Sequence, residues 1–279
     1  MKNINRPIIE LLIKLQGVDV SKYNDNFLNS LLQKRITETN SISLEGYFAF
    51  FEHTEMEQSQ FVNSLYVSYS EFFRNSLTFS VLEQILLPKM LSTNSDSTRK
   101  ELRIWSAACA AGQEAYSLAI LLDEITNGGE CKKDYRIFAT DQDSKQVNEA
   151  QNGMYSVTAV YNMSMLRVNQ QFENQNGCFY VKEKLKKNIH FSVFDLFDEQ
   201  YSCPPSSIFG DFDIVVCSNL LYYYKPEFQK RIIEKVVNSL THGGYLITSE
   251  TERDIFISHG FNEVYPQSAI FQKNKYAKK

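Results

Sequence analysis

From Met1 to about Val67, apolar residues recur three and four positions apart, as in Ile8, Leu11, Leu12 and Leu15, then Phe27, Leu28, Leu31, Leu32 and Ile36. That spacing lines one face of an α-helix. Gly17, the Asn24–Asp25–Asn26 run and the polar stretch Thr37 to Ser43 interrupt it, and Glu45 to Glu52, rich in Tyr and Phe, supplies another helical stretch. Three or four short helices in a small all-helical N-terminal domain, residues 1–70, are expected. Residues 71–100 follow as a linking segment, with a helix-like stretch from Phe79 to Leu91 and a polar linker from Ser92 to Lys100.

Beyond the linker the pattern becomes an alternation of strand and helix. Leu102 to Ala108 reads as a buried strand and Gln113 to Ile125 as a helix with Leu118, Leu121, Leu122 and Ile125 on one face. Tyr135 to Thr140 is the next strand and Ser144 to about Asn152 the next helix. Phe212 to Cys217 is a strand, Pro226 to Leu240 a helix ended by Gly243–Gly244, Tyr245 to Ser249 a strand, and Ala269 to Gln272 an edge strand. Such alternation implies right-handed crossovers and hence an α/β fold, a doubly wound and mostly parallel sheet, over residues 101–279. Between Gly153 and Leu196 the rhythm breaks. Ser164 to Phe172 looks helical, and Cys178 to Phe194 resembles two strands around a polar turn, so a small inserted β subdomain is expected at about 154–192.

Charge narrows the function. The 279 residues hold 29 basic and 33 acidic side chains, a net charge of −4, so no global field draws the protein onto nucleic acid, and no nucleic-acid partner is expected. Residues 1–70 carry six basic and eight acidic groups, while residues 161–190 set Arg167, Lys182, Lys184, Lys186 and Lys187 against Glu173 and Glu183. The latter is either a solvated face or a docking surface for an acidic peptide. Five scattered cysteines, without a C-x-x-C pair or a histidine at ligand spacing, read as reduced thiols of a cytoplasmic protein with no metal site. The first apolar stretch carries Glu10 and Lys14, too short and too charged for a signal peptide or membrane span, so no membrane insertion is expected.

The chemistry is expected at the strand ends, where doubly wound sheets bind ligands. The first strand runs into Ala107-Ala-Cys-Ala-Ala-Gly-Gln-Glu114, a turn of small residues opening a helix. A dinucleotide site would show G-x-G-x-x-G, because a pyrophosphate lies on the main chain. Here there is one glycine, and Glu114 in the first helical turn would repel a pyrophosphate but suit an amino group; it could equally complement the helix dipole. Asp141 ends the second strand, where a carboxylate can accept both hydroxyls of a ribose, and Asp143 can cap the next helix. Asp195 could accept from an exocyclic amine, and Leu196 could flank a flat ring. Together these stations describe a nucleoside with a charged tail and no phosphates, which is the anatomy of S-adenosylmethionine.

Arg103-Ile-Trp-Ser-Ala-Ala-Cys-Ala-Ala-Gly-Gln-Glu-Ala-Tyr-Ser117, Ala139-Thr-Asp141, Ser70-Glu-Phe-Phe-Arg74 and Asp213-Ile-Val-Val-Cys-Ser-Asn-Leu-Leu-Tyr-Tyr-Tyr224 resemble the CheR-type chemoreceptor glutamate methyltransferases over nearly the whole chain. The resemblance implies an enzyme that methylates glutamate carboxylates of a chemoreceptor-like protein with S-adenosylmethionine, releasing S-adenosylhomocysteine; a cytoplasmic monomer is expected. It places cofactor contacts on Ser68, Ser70, Arg74, Glu114, Asp141, Asp195, Leu196, Ser218 and Asn219, and an active-site pair on Arg74 and Tyr223. It also implies receptor contact by the helical domain and peptide docking by the insert. The family's Gly-Glu-Glu-Pro turn is Gly112-Gln-Glu-Ala115 here, and Ser218 replaces its arginine. Two alternatives stay open: the same chemistry on another protein or a small molecule, and a catalytically weak receptor-binding adaptor.

Overall fold

Asparagine and serine side chains decide where the first helices start, and a buried glutamate how they pack. A computed structural model describes residues 10, 11, 14, 18–92, 101–127, 133–207 and 210–273. Much of the first expected helix, the Ser92–Lys100 linker beyond Ser92, and Cys131 lie outside the described residues. Chain contacts divide it into one unit of Met1–Val67 with Leu220–Lys230 and another of Ser68–Asn219 with Arg231–Lys279.

In the first unit, α1 (Asp25–Glu38) is capped by the Asn24 side chain accepting from Asn26 N–H, and α2 (Leu44–His53) by Ser43 accepting from Gly46 N–H. Each cap satisfies an amide that the helix itself leaves without a partner. With α3 (Glu55–Leu65) these helices bury Leu28, Leu32, Phe51, Phe61 and Leu65. Inside the same core Arg35 Nε donates to Glu57 at 2.8 Å, a second guanidinium N–H reaches the other Glu57 oxygen, and the Tyr47 hydroxyl donates to Glu57 at 2.9 Å. Tyr224 is the buried member of the tyrosine triplet, stacked on Tyr23 at 5.1 Å.

In the second unit, α4 (Ser76–Val81) and α5 (Leu87–Leu91) flank a π-helical turn, Leu82–Leu86, so the helical stretch starts before Phe79 and is irregular inside. Pro88 explains the irregularity: it has no N–H, and its ring crowds the carbonyl four residues back, so the preceding turn widens. The sheet comprises β1 (Glu101–Ala107), β2 (Asp134–Asp141), β6 (Ile189–Val193), β7 (Phe212–Cys217), β8 (Leu240–Ile247) and β9 (Ile270–Gln272), ordered β6-β2-β1-β7-β8-β9. All neighbours pair in parallel except β8 with β9. This is the doubly wound α/β architecture, with the strand order reversing between β1 and β7. Every residue of β7 is buried, as a strand covered on both faces must be. The helix α6 (Gln113–Asn127) buries eight consecutive residues from Ala115 to Leu122 rather than one stripe, because α5 and α9 (Glu183–Lys186) pack on it as well.

The insert contains a second sheet, ordered β3-β5-β4, from β3 (Met154–Ser156), β4 (Phe172–Gln175) and β5 (Cys178–Val181), with α8 (Met165–Gln171) between its strands. The segment Cys178 to Phe194 is not a hairpin: α9 separates its two strands, and β6 pairs with β2 in the main sheet. The helix α10 (Pro226–Ser239) ends before Leu240, and β8 begins there, five residues earlier than its apolar run suggests. Gly243 and Gly244 lie inside the strand. The register against β7 slips between Phe212 and Ile214, and a Cβ on Gly244 would sit 3.1 Å from the Phe212 carbonyl oxygen, so the glycines make a bulge possible rather than a stop. Among the described residues, no helix is long and apolar enough to cross a membrane.

Candidate active site

The parallel strands β1, β2, β6 and β7 bring their carboxyl ends to one edge of the sheet, and nine of the ten candidate residues belong to this unit. The turn after β1 is held in left-handed conformations at Ala108 (φ 65°), Ala110 (φ 47°) and Gly112 (φ 91°). Left-handed alanines are costly, by on the order of 1 kcal/mol each, and persist where neighbours fix them. Cys109 N–H donates to the Thr140 carbonyl at 2.8 Å, Ala110 N–H to the Asp141 carboxylate at 2.9 Å, and the Tyr155 hydroxyl to the Ala111 carbonyl at 2.6 Å. The glycine is required by packing, since a Cβ on Gly112 would lie 2.8 Å from Cβ of Ala150 on α7 (Ser144–Asn152).

Glu114 stands in the first turn of α6. Its carboxylate accepts from the Ser106 hydroxyl at 2.7 Å and from the Ser218 hydroxyl. Burial pushes its pKa up to about 7; the Ser106 and Ser218 hydrogen bonds and the Arg74 guanidinium oppose that rise, and the Glu252 carboxylate adds to it. Burial thus outweighs the hydroxyl donors and the Arg74 guanidinium together. Asp141 is also raised, again by burial first, while backbone amides of Asp143 and Ala110 donate to it. Asp195 is exposed, with one oxygen accepting Phe197 N–H at 2.9 Å, and Leu196 beside it is buried.

Arg74 is anchored by the residues before it. Phe72 is fully buried against Tyr155 and Phe172, and Phe73 N–H donates to the Ser117 hydroxyl at 3.0 Å. The exposed Arg74 side chain donates to the Tyr69 carbonyl at 3.3 Å and lies over the Tyr69 ring at 5.1 Å, so it neither caps a helix nor pairs with Glu71. Glu71 instead accepts from the Tyr69 hydroxyl and from Asn162. Ser68 is exposed and Ser70 part-buried on the same segment. Asn219 is left-handed (φ 60°), and its N–H donates to Glu252 at 2.7 Å. Tyr223 belongs to the helical unit, where its ring meets Phe27 edge-on at 4.9 Å, its hydroxyl accepts from Tyr222, and its carbonyl accepts Asn24 N–H.

Hydrogen bonds and charge thus join Arg74, Glu114 and Ser218 into one group and tie Asp141 to the turn after β1; Ser68, Ser70, Asp195 and Leu196 lie outside that group. Two members escape a reading of the sequence. Ser106 lies inside a strand, one residue from its end, and Glu252 belongs to a Ser249-Glu-Thr-Glu252 run in which nothing sets one acid apart from the other. The preponderance of acids suits a ligand carrying an ammonium and a sulfonium and opposes a pyrophosphate. The thiols of Cys109 and Cys217 are buried and pushed well above their usual range, so both are neutral packing groups.

In the insert, the basic residues turn back onto the unit's own surface. Arg167 reaches Glu124 and Glu83, Lys184 pairs with Asp123 at 2.7 Å, Lys186 with Glu183 at 3.1 Å, and Lys182 donates to the carbonyls of Asn169 and Gln170. Tyr161 (70% exposed), Met165 (70%) and Leu166 (66%) are open to solvent.

Residues 68–264 match the family described as CheR methyltransferase, SAM binding domain. A chemotaxis protein methyltransferase of Borreliella burgdorferi is 27% identical over 98% of this chain and 96% of its own length. Chemotaxis protein methyltransferase 1 of Pseudomonas aeruginosa is 33% identical over 68% of each chain. Among solved structures, the DszA carbon methyltransferase matches 86% of this chain and 50% of its own, at 13% identity and a TM-score of 0.42.

Proposed function

The chain belongs to the CheR methyltransferase family, and from that premise we propose that it methylates glutamate side chains of a chemoreceptor-like protein in the cytoplasm, acting as a monomer. S-adenosylmethionine, when bound, supplies a methyl group activated by its sulfonium. The observation that carries the reading is Glu114, a buried acid at the first strand-to-helix turn that accepts from the Ser106 hydroxyl at 2.7 Å and whose pKa burial pushes up to about 7. The residues fit the cofactor: Glu114 would take its amino group, Asp141 its ribose hydroxyls, and Asp195 with Leu196 its adenine. Ser68, Ser70, Ser218 and Asn219 would complete the contacts.

A substrate glutamate has an unperturbed pKa of about 4.3, so at neutral pH it is already a nucleophile and the protein need supply no base. The substrate carboxylate would accept that methyl group, the carbon–oxygen bond forming as the carbon–sulfur bond breaks, to give a methyl ester and S-adenosylhomocysteine. The protein's contribution is alignment and exclusion of water, which in favourable cases is worth on the order of 7–11 kcal/mol. Arg74 would hold the incoming carboxylate by a charge-assisted hydrogen bond, and the family resemblance implies a hydroxyl role for Tyr223. Both act by positioning, since a tighter grip on the ground state would slow attack.

The substrate protein contacts the helical unit and the insert. The support for the second contact is the exposed Tyr161, Met165 and Leu166, an apolar surface, since four of the insert's five basic side chains already have internal partners. The test is transfer of labelled methyl from S-adenosylmethionine into a receptor cytoplasmic fragment. Label released by mild base as volatile methanol marks an ester; base-stable label would assign another acceptor, and no transfer together with no cofactor binding would leave an adaptor.

A further inference from the structure

The second unit holds a carboxylate that the reaction does not touch. Glu252, in the short turn after β8, is fully buried. Burying an ionised carboxylate costs several kcal/mol unless donors surround it. Here one oxygen accepts from Asn219 N–H at 2.7 Å, the Ser249 hydroxyl at 2.9 Å and the Thr248 hydroxyl at 3.1 Å. These donors come from the ends of two neighbouring strands, β7 and β8, so the side chain ties one strand end to the next. The tie falls where the backbone needs it, because Asn219 is left-handed at φ 60°.

Ser218, immediately before Asn219, donates to Glu114. One buried acid therefore fixes the turn that carries a donor to the other, and the two acids lie close enough to repel. The groups facing Glu114 are Ser106 on β1, Ser218 at the end of β7, Arg74 from the segment before α4, and Glu252 from the turn after β8; the buried thiols Cys109 and Cys217 lie within its field. Arg74 and Glu252 act on it with opposite sign.

We propose that Glu252 is a positioning residue: it locks the Ser218–Asn219 turn against Glu114, and its negative charge sets how strongly Glu114 demands a cation from the ligand. The role rests on the reading above, in which the ligand's ammonium group meets Glu114. It adds a second acid, outside contact with the ligand, that tunes the first. Ionised Glu114 attracts an ammonium and protonated Glu114 does not, so affinity is level above the pH at which Glu114 ionises and declines below it.

Calorimetric titration with S-adenosylhomocysteine from about pH 5 to pH 9 reads this directly. Wild-type affinity is expected to break near pH 7 and to fall about tenfold per unit below the break. Glu252→Gln keeps an acceptor oxygen and removes the charge, so the break moves down by on the order of half a unit or more. Glu252→Asp, which restores the charge, returns it towards the wild-type position. Ser218→Ala leaves the buried Glu252 contacts in place and removes a donor from Glu114, so the break moves up; this variant carries the test should Glu252→Gln fail to fold. A folded Glu252→Gln protein with the wild-type break overturns the role of Glu252, and Ser218→Ala with an unmoved break overturns the lock on Glu114 through the Ser218–Asn219 turn. Absence of binding by the wild-type protein overturns the cofactor reading and this role with it.

Discussion

Each unit buries a glutamate, and the two glutamates are treated differently. In the helical unit Glu57 meets the Arg35 guanidinium through both carboxylate oxygens and takes the Tyr47 hydroxyl besides. The hydrogen bond to Glu57 raises the arginine's pKa, and burial, with the carboxylate beside it, raises that of Tyr47. Its charges are satisfied within the protein. In the α/β unit Glu114 has hydroxyl donors, a second acid nearby and a partly opposing Arg74 that lies exposed on Tyr69. A buried charge balanced internally specifies packing; one left out of balance at the strand ends is a request for a ligand.

The largest effect expected from that contrast is in the helical unit. Glu57→Ala takes from the buried Arg35 its two-oxygen partner, leaving Glu38 and Gln60, and should lower unfolding free energy by about 3 kcal/mol in a denaturant titration. Loss below about 1 kcal/mol would mean that the pair is solvated in solution.

Glu114→Gln should do the opposite to stability while removing binding. The folded Glu114 holds its proton more tightly than the unfolded side chain, with a pKa of about 7 against 4.5. Its contribution to stability is therefore full below the unfolded pKa and is lost as pH rises through about 7. At pH about 8 the glutamine variant should be more stable by roughly 1–3 kcal/mol, with little gain at pH about 5. Affinity for S-adenosylhomocysteine should fall at least tenfold at the higher pH, about 1.4 kcal/mol or more. A variant that binds normally, or that is destabilised at both pH values, would count against the imbalance.

Asp141→Ala should weaken cofactor binding by roughly 1–3 kcal/mol as the ribose hydroxyls lose their acceptor. Calorimetry giving an unchanged affinity would remove Asp141 from that role. The smallest effect on binding is expected for Tyr223→Phe, which should lower turnover in the methyl-transfer assay and leave cofactor affinity nearly intact. A collapse in affinity would make Tyr223 part of the cofactor site.

The sheet was legible because its signals are local: apolar runs of strand length, each followed by a helical pattern, imply parallel pairing by handedness alone. The exceptions are places where distant pairing overrides local pattern. FYVKEKLKKNIHFSVF at 179–194 reads as a hairpin, yet its second strand finds β2 and its polar centre forms one helical turn. Gly243–Gly244 reads as a stop, yet close approach to the Phe212 carbonyl turns it into a bulge within β8. At the site, Glu114 and Asp141 stand out as acids at strand ends. Glu252 does not, because nothing in Ser249-Glu-Thr-Glu252 distinguishes the buried glutamate from the exposed Glu250. Its burial follows from its meeting Asn219, 33 residues earlier in the chain.

A double-mutant cycle gives the most direct test of an acid held in wait for an ammonium group. Affinities of the wild-type and Glu114→Gln proteins would be compared for S-adenosylhomocysteine and for its analogue lacking the amino group. The wild-type protein should prefer the amino compound at least tenfold, about 1.4 kcal/mol, and the glutamine variant should lose most of that preference. Equal preference in both proteins would show that the amino group is held elsewhere and that Glu114 is buried for another reason.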